Sequence, residues 1–329
     1  MTGDTRERPT DRQYGFLDWF ARARRHVDAT DLLHLMDPFH VLFAVIGYAN
    51  PAWRKTDWGR YLDERDPEFV DVILDAVRPI ARHYFAMRVR GIENVPTEGP
   101  ALIVANHNGG VLMMDSFFTA LAIRDHLGVE RELNALGHDL LAADDTMRRI
   151  LNQMGVIRAS HETAAHALRA GRLVLVYPGS DKDSWRTWRE RSRIYLEGRA
   201  GFIRLALREG VPIVPLVTAG THEQLVVLRR GRRIAKALRL DKALRNEAFP
   251  IVWSLPFGVT TGFFPYIPLP AQTTLSFGAP ITWPELDPAD ADRDDVVQRC
   301  QTDVREQMQG MLDELHEHRI PILGERFSR

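Results

Sequence analysis

The sequence predicts an α/β protein whose largely parallel central sheet is flanked by helices, and three observations support this fold class. Short apolar runs alternate with stretches of helical periodicity between about residues 100 and 280. The runs are apolar throughout, as in strands of a sheet that is covered on both faces. Strands that alternate with helices imply βαβ units, which pair their strands in parallel.

The first 86 residues are predicted to form an N-terminal helical segment. Apolar positions between Phe69 and Tyr84 recur at helical spacing, and we expect Pro79 to kink or split that helix. The longest apolar run, Val41–Ala49, is shorter than the about 20 residues that a membrane-spanning helix needs. Residues 1–13 lack the apolar stretch of a signal peptide. We therefore expect neither a transmembrane helix nor a secretion signal.

Residues 87–285 are predicted to form the main domain, and residues 286–329 a C-terminal helix that packs on it. The helical patterns Ser160–Arg169 and Ala200–Arg208 lie between five predicted strands, which are Ala101–Ala105, Leu133–Leu136, Leu173–Tyr177, Pro212–Val217 and Thr274–Phe277. The final helix has one apolar stripe, formed by Val297, Cys300, Val304, Met308, Met311 and Leu315. Cys300 is the only cysteine, which excludes an internal disulfide and a cysteine-rich metal site.

The total charge is balanced, with 43 Lys and Arg against 44 Asp and Glu and a net charge of −1. Such a balance gives no overall field that would attract a polyanion, so we expect no nucleic-acid partner. Any basic surface must be local.

One candidate site follows the strand Ala101–Ala105, where the chain reads Asn106-His107-Asn108-Gly109-Gly110 and Asp115 lies eight residues beyond His107. Loops at the carboxyl ends of parallel strands are where α/β sheets place their sites. Histidine can accept a proton near neutral pH, and a following carboxylate can orient the ring. Because no Ser, Thr or Cys is placed as a nucleophile, a base acting on a substrate hydroxyl is favoured. Taken alone, the segment also fits a capping histidine and a solvated aspartate.

Further segments suggest an anion site at the same sheet edge. Gly179-Ser180 follows the strand Leu173–Tyr177, and Gly198 to Gly201 opens the next helix, so backbone N–H groups are expected to be free for an anion there. A predicted strand ending at Arg158 delivers a guanidinium to this edge. Further anion-binding candidates, for which surface salt bridges are the alternative, are Arg186 and Arg199.

Five motifs occur in order: Asn-His-x-Gly-Gly followed by Asp, Gly-Val-Ile-Arg, Tyr-Pro-Gly, Gly-Arg-x-Gly-Phe and Val-Pro-Ile-Val-Pro. This order resembles the glycerolipid acyltransferases, the lysophosphatidic-acid and monoacylglycerol/diacylglycerol acyltransferase-like superfamily, over about Val89 to Trp283. The resemblance implies transfer of a fatty acyl group from acyl-coenzyme A, or from an acyl carrier protein, to the hydroxyl of a glycerolipid. Acyl-CoA is then a co-substrate, and the implied chemistry requires no cofactor and no metal.

The resemblance also implies roles for residues. His107 matches the catalytic histidine, Asp115 its partner, and Arg158 an arginine that contacts the acceptor's phosphate. Other predicted substrate-binding positions in or beside these motifs are Asn106, Gly109, Gly110, Gly179 and Ser180. The third motif lacks the glutamate of the usual Phe-Pro-Glu-Gly and resembles the neutral-lipid enzymes. An acceptor like 1-acylglycerol 3-phosphate is favoured, with a neutral glyceride as the alternative. A non-catalytic lipid-binding protein and an acyl-thioester hydrolase are further alternatives.

Substrates of this kind lie in or near a bilayer, so a membrane-docking segment is expected. Residues 229–245 hold eight Arg or Lys and one Asp, and the aromatic-rich stretch Phe249 to Pro270 follows. A basic amphipathic stretch beside aromatics fits an interfacial anchor. The predicted docking residues are Arg229, Arg230, Arg232, Arg233, Ile234 and Leu238. We expect a cytoplasmic protein attached peripherally to the inner face of the membrane, with Val41–Ala49 as the alternative anchor.

Overall fold

A computed structural model describes residues 16–26, 58–59, 61–107, 110, 112–142, 145–196, 198–237, 247–264 and 266–325. The described helices are α1 (Phe16–His26), α2 (Pro67–Pro79), α3 (Met114–Leu127), α4 (Asp145–Gln153), α5 (His161–Arg169), α6 (Ser180–Ser184), α7 (Gly201–Glu209), α8 (Arg232–Ala237) and α9 (Asp294–Glu317). The described strands are β1 (Arg88–Arg90), β2 (Ala101–Ala105), β3 (Leu133–Gly137), β4 (Val156–Arg158), β5 (Leu173–Val176), β6 (Ile213–Ala219), β7 (Val226–Arg229), β8 (Ile251–Ser254), β9 (Gly258–Thr261), β10 (Thr274–Phe277), β11 (Arg319–Ile320) and β12 (Gly324–Glu325).

Seven strands form one sheet in the order β1-β10-β6-β2-β5-β3-β4. The five strands from β6 to β4 run parallel, so their carboxyl ends share one edge. β10 runs antiparallel to β6, and β1 pairs in parallel with β10. The predicted fold class is therefore confirmed: a largely parallel sheet between helices, with an N-terminal helix and a long C-terminal helix.

Both faces of the sheet are covered, which explains why the central strands are apolar throughout. In β2, Leu102 and Val104 pack in a core with α5, α7 and α9. Ala101, Ile103 and Ala105 point the other way, into a core with α2 and α3. Because side chains alternate across a strand, a strand between two cores has no position left for a polar residue.

The flanking helices begin and end where local chemistry predicts. The side chain of Asp66 caps α2 by accepting hydrogen bonds from the backbone of Glu68 and Phe69. The helix ends at Pro79, where a kink or break was predicted, and one wide helical turn, Ile80–Tyr84, follows. The buried stripe of α9 includes Cys300.

A second, three-stranded antiparallel sheet in the order β7-β8-β9 lies where the basic and aromatic stretches were noted. β7 ends at Arg229 and α8 spans only Arg232–Ala237, so the described part of the basic stretch is a strand end and a short helix rather than one long amphipathic helix. Among the described helices, none is long and apolar enough to cross a bilayer. Leu238 and the run Val41–Ala49 lie outside the described residues.

Candidate active site

The predicted pair of His107 and Asp115 meets at the carboxyl end of β2. His107 follows this strand, and Asp115 lies in the first turn of α3. The connecting loop reaches α3 through Met113, which adopts the left-handed conformation with φ 44°. Nδ1 of His107 lies 2.7 Å from Oδ2 of Asp115. Asp115 is completely buried, whereas 15% of the His107 side chain is exposed, so the ring lies between a buried carboxylate and the surface.

The environment of the His107 ring suits a base. The ring stacks on Tyr177, with centroids 4.3 Å apart and planes inclined by 27°. Burial alone would lower the pKa of His107, but the charge and the hydrogen bond of Asp115 outweigh it and raise this pKa above its ordinary value. Donation from Nδ1 to the carboxylate leaves Nε2 as the proton acceptor, and Nε2 has no hydrogen-bond partner within the described part of the chain.

Two buried side chains that the sequence did not single out hold the backbone of His107. Its N–H donates to Oδ2 of Asp183. Its carbonyl oxygen accepts a hydrogen bond from Nε2 of His222 at 2.6 Å. Because a carbonyl only accepts, Nε2 of His222 carries the proton. Burial and the charge of Arg186 hold the pKa of His222 well below its ordinary value, so this ring is neutral.

Arg186, predicted to bind an anion, supports this arrangement from inside the protein instead. Its side chain is fully buried, and its Nε lies 3.1 Å from Oδ1 of Asp183. The same Nε lies 3.0 Å from Nε2 of His222. Arg186 and Asp183 thus form a buried ion pair, in which each charge is compensated by the other. Burial makes Arg186 a support of Asp183 rather than a surface anion site.

Gly179 and Ser180 bring Asp183 to His107 by a tight turn. α6 opens at Ser180, which has φ 47°, and the N–H of Asp183 donates to the carbonyl of Gly179 at 3.2 Å. A Cβ on Gly179 would overlap the Cβ of Asp183 and the carbonyl oxygen of Tyr195. Packing therefore fills the space at Gly179 where an anion was predicted.

Asn106 and Gly110 also have partners inside the protein. Oδ1 of Asn106 accepts from the N–H of Thr218 at 2.7 Å, and its Nδ2 donates to the carbonyl of Thr218 at 3.2 Å, which ties the end of β2 to β6. Gly110 has φ 101°, and a Cβ there would overlap the hydroxyl of Tyr266. Tyr266 also forms a hydrogen bond with the backbone of Leu112, so this ring covers the loop.

Arg158 lies at the same sheet edge but apart from His107. β5 and β3 separate β4 from β2, which at about 4.8 Å per strand is a distance of about 14 Å. Nε and Nη2 of Arg158 lie 2.7 and 3.1 Å from the two carboxylate oxygens of Asp139. Although partial burial would raise it, the hydrogen bonds from Arg158 and Trp58 hold the pKa of Asp139 below its ordinary value. The predicted phosphate contact is thus engaged in an internal ion pair.

The remaining predicted residues divide into exposed and internal ones. Arg199 is exposed in the turn before α7, and Gly109 lies outside the described residues. The predicted docking residue Arg230 is not free, because its Nη2 lies 3.2 Å from Oε2 of Glu190 and its guanidinium stacks 5.2 Å above the Tyr195 ring. The exposed docking residues are Arg229, Arg232, Arg233 and Ile234.

The loop that carries His222 is anchored by a buried ion pair. Glu223, the next residue, accepts from Nη2 of Arg319 at 2.8 Å, and both side chains are 1% exposed. The N–H of Ile322 donates to the same carboxylate at 2.6 Å. The segment that follows α9 therefore holds the loop of His222 in place.

The sequence carried a signal for His222 but none for Asp183. His222 follows β6, which is the neighbour of β2, so it lies at the same edge of the sheet as His107. Asp183 reaches His107 only through the turn at Gly179, whose geometry depends on packing. No group of three or more His, Cys, Asp or Glu among the described residues could hold a metal ion.

Known proteins are similar to this chain over the segment that carries these residues. Residues 86–219, which include His107, Asp115, Arg158 and Gly179, match the family model described as Acyltransferase. Uncharacterised proteins of Mycobacterium tuberculosis and Mycobacterium bovis are 32% identical over 251 residues, which is 75% of this chain and 66% of each relative. This chain thus spans somewhat less than two thirds of the length of those relatives.

Two more distant proteins are also similar. The "DGAT1/2-independent enzyme synthesizing storage lipids" of Bos taurus is 27% identical over 177 residues, covering 54% of this chain and 48% of that protein. A solved 1-acyl-sn-glycerophosphate acyltransferase from Thermotoga maritima has a TM-score of 0.45 and 16% identity over 88% of this chain and 99% of its own. Residues 86–219, the segment that builds the sheet edge and the His107–Asp115 pair, match the Acyltransferase family.

Proposed function

We propose that the protein transfers a fatty acyl group from an acyl thioester, either acyl-coenzyme A or acyl carrier protein, to the hydroxyl of a glycerolipid. The observation that carries this proposal is the 2.7 Å contact between His107 and Asp115, in which the carboxylate is buried and the ring reaches the surface. A base oriented in this way can activate a hydroxyl without a covalent intermediate on the protein.

The reaction follows from these positions. Nε2 of His107 takes the proton of the acceptor hydroxyl while the oxygen of that hydroxyl attacks the thioester carbonyl carbon. Asp115 stabilises the imidazolium that forms. The tetrahedral intermediate collapses, the carbon–sulfur bond breaks, and the thiol leaves with the proton from His107. Backbone N–H groups after β2 are proposed to stabilise the oxyanion; that of His107 is excluded, because it donates to Asp183.

A neutral glyceride is the better supported acceptor. The phosphate-bearing acceptor rests on Arg158, whose guanidinium pairs with Asp139 and whose strand β4 lies about 14 Å from β2 across the sheet. Arg186, the other predicted cation near the site, is buried against Asp183. A neutral acceptor needs no cation, and the description of the Bos taurus relative as a storage-lipid enzyme supports the same class.

An acceptor panel tests the proposal. Purified protein is incubated with one labelled acyl-CoA and, separately, lysophosphatidic acid, monoacylglycerol, diacylglycerol or no acceptor, and the products are identified by mass. We expect an acylated glyceride, and we expect His107→Ala to lower kcat by about 10²–10⁴. The matched control is His126→Ala, an exposed histidine on α3.

Three results would contradict the proposal in different ways. Free fatty acid formed equally with and without acceptor identifies a hydrolase. Lipid binding without turnover identifies a binding protein. A preference for lysophosphatidic acid that Arg158→Gln abolishes restores the phosphate-bearing acceptor.

A further inference from the structure

The exposed apolar side chains of this protein are concentrated in one region. Of the fourteen large apolar side chains that are exposed within the described residues, eight lie between Leu228 and Ile267. Single exposed apolar residues are ordinary, whereas a cluster marks an interaction surface.

The three-stranded sheet arranges this cluster on its outward face. Val226, Trp253 and Val259 are aligned across β7, β8 and β9, and Trp253 and Val259 are 39% and 66% exposed. The neighbouring row is buried, since Val227 and Val252 pack in a small core with Trp185. The sheet therefore has one face fixed on the protein and one apolar face turned outward.

The turn between β8 and β9 extends this outward face. It consists of Leu255, Pro256 and Phe257, and Phe257 is 60% exposed. Two further exposed side chains follow the hairpin. We call the hairpin surface the set Trp253, Leu255, Phe257, Val259, Phe264 and Ile267.

Basic side chains accompany the hairpin surface. Between Val226 and Pro270 the described residues carry five basic side chains and one acidic side chain, Glu247. Arg230 is paired internally. The other four form no salt bridge with any described residue, and all are exposed: Arg229, Arg232, Arg233 and Lys236.

The hairpin surface adjoins the candidate active site. Tyr266 lies between Phe264 and Ile267 in the chain, and its ring covers Gly110, three residues after His107. Its hydrogen bond to the backbone of Leu112 ties the end of the hairpin to the loop between His107 and Asp115. Leu112 itself is 37% exposed, so the apolar surface continues to the rim of the site.

We propose that the hairpin surface inserts into an anionic lipid surface while Arg229, Arg232, Arg233 and Lys236 bind its headgroups. The choice of a lipid as the occupant rests on the proposed function, in which the acceptor is a glycerolipid. Apolar side chains on a turn with a basic flank suit a membrane interface, where aromatic rings lie at headgroup depth. The hairpin surface, rather than the basic stretch with Ile234 and Leu238, is then the inserting element.

Vesicle sedimentation tests this proposal without any acyl donor or turnover, so its result does not depend on the proposed function. The vesicles contain phosphatidylcholine and phosphatidylglycerol in equal parts. We expect Trp253→Ser with Phe257→Ser to weaken binding at least about tenfold at every salt concentration, because apolar burial is lost. The matched control is Tyr61→Ser with Leu323→Ser, two exposed side chains outside this region, which are 68% and 76% exposed.

Two further measurements separate insertion from charge and from misfolding. Arg232→Gln with Arg233→Gln is expected to weaken binding at low salt and to match the parent at high salt, because salt screens surface charge. Brominated lipid is expected to quench the tryptophan fluorescence of Trp253→Phe less than that of the parent. This variant keeps an apolar ring, so the other contributions to binding are retained.

Several results would overturn the proposal. They are a parent protein that does not bind these vesicles, a Trp253→Ser and Phe257→Ser variant that binds like the parent, or quenching that is unchanged in Trp253→Phe. Self-association of the parent that this double variant abolishes, in the absence of vesicle binding, would assign the hairpin surface to a second copy of the chain.

Discussion

His107 is held at three points by three different residues. Asp115 fixes the ring through Nδ1, Asp183 binds the backbone N–H, and His222 binds the carbonyl. The ring and the main chain are therefore positioned independently. In the proposed reaction such a base is already oriented when the substrate arrives, and orientation accounts for a large part of catalytic power.

The pH dependence of the reaction tests this arrangement. In the proposed reaction His107 must be neutral to accept a proton, so kcat/KM is expected to rise with pH through the pKa of His107, which Asp115 raises above its ordinary value of about 6.5. Asp115→Asn removes the carboxylate charge and is expected to move the inflection to lower pH and to reduce the plateau. Asp183→Asn is expected to move the inflection to lower pH as well, but by less, because the charge of Asp183 raises the pKa of His107 less than that of Asp115 does. An inflection that neither substitution moves would mean that another group titrates.

At the scale of elements, the turn after β5 is the critical connection. It places Asp183 against His107 only because Gly179 has no side chain. Gly179→Ala is expected to destabilise the protein by about 1–3 kcal/mol, because the neighbours at this position are a backbone carbonyl and a buried Asp183. Thermal unfolding monitored by circular dichroism measures this loss of stability.

Gly310 provides the opposite control. It lies within α9, where an added Cβ would meet nothing within 4 Å. Gly310→Ala is expected to stabilise the protein by about 0.5–1 kcal/mol. Equal effects of the two alanine substitutions would show that the turn at Gly179 tolerates a side chain.

Elements defined by local patterns could be predicted, and those defined by packing could not. The strand Ala101–Ala105 follows from its apolar run. The end of α2 at Pro79 follows from the missing N–H of proline. His107 and Asp115 were also indicated, because parallel sheets place their sites in the loops at the carboxyl ends of the strands. The sequence does not show that Arg158 is engaged by Asp139, because that contact depends on the pairing of β3 with β4. It does not show that Arg186 is buried either, because this depends on the packing of its turn against His222. The aromatic stretch predicted a surface, but only strand register shows which side chains share it.

At the scale of the whole molecule, the pair of Glu223 and Arg319 joins the segment after α9 to the loop of His222. Removing one charge from a buried pair leaves the other unpaired. Glu223→Gln is therefore expected to destabilise the protein by about 3–5 kcal/mol, and Glu223→Leu with Arg319→Met to recover most of that loss. Chemical denaturation measures the stability of both variants.

The exposed pair of Arg208 and Asp292 is the comparison, since Asp292→Asn is expected to destabilise the protein by at most about 1 kcal/mol. A small effect of Glu223→Gln would show that this pair is not what fixes the loop.

The same pair sets an order of events during synthesis. A ribosome releases β2, His107 and Asp115 long before Arg319 emerges, and domains begin to fold from their N-terminal parts as they are made. Until Arg319 arrives, Glu223 lacks its closest cationic partner, and the loop of His222 lacks that anchor. A nascent chain can thus assemble the parallel sheet and the His107–Asp115 pair without a completed site. The loop of His222 thus gains its anchor only after the other residues around His107 have been synthesised.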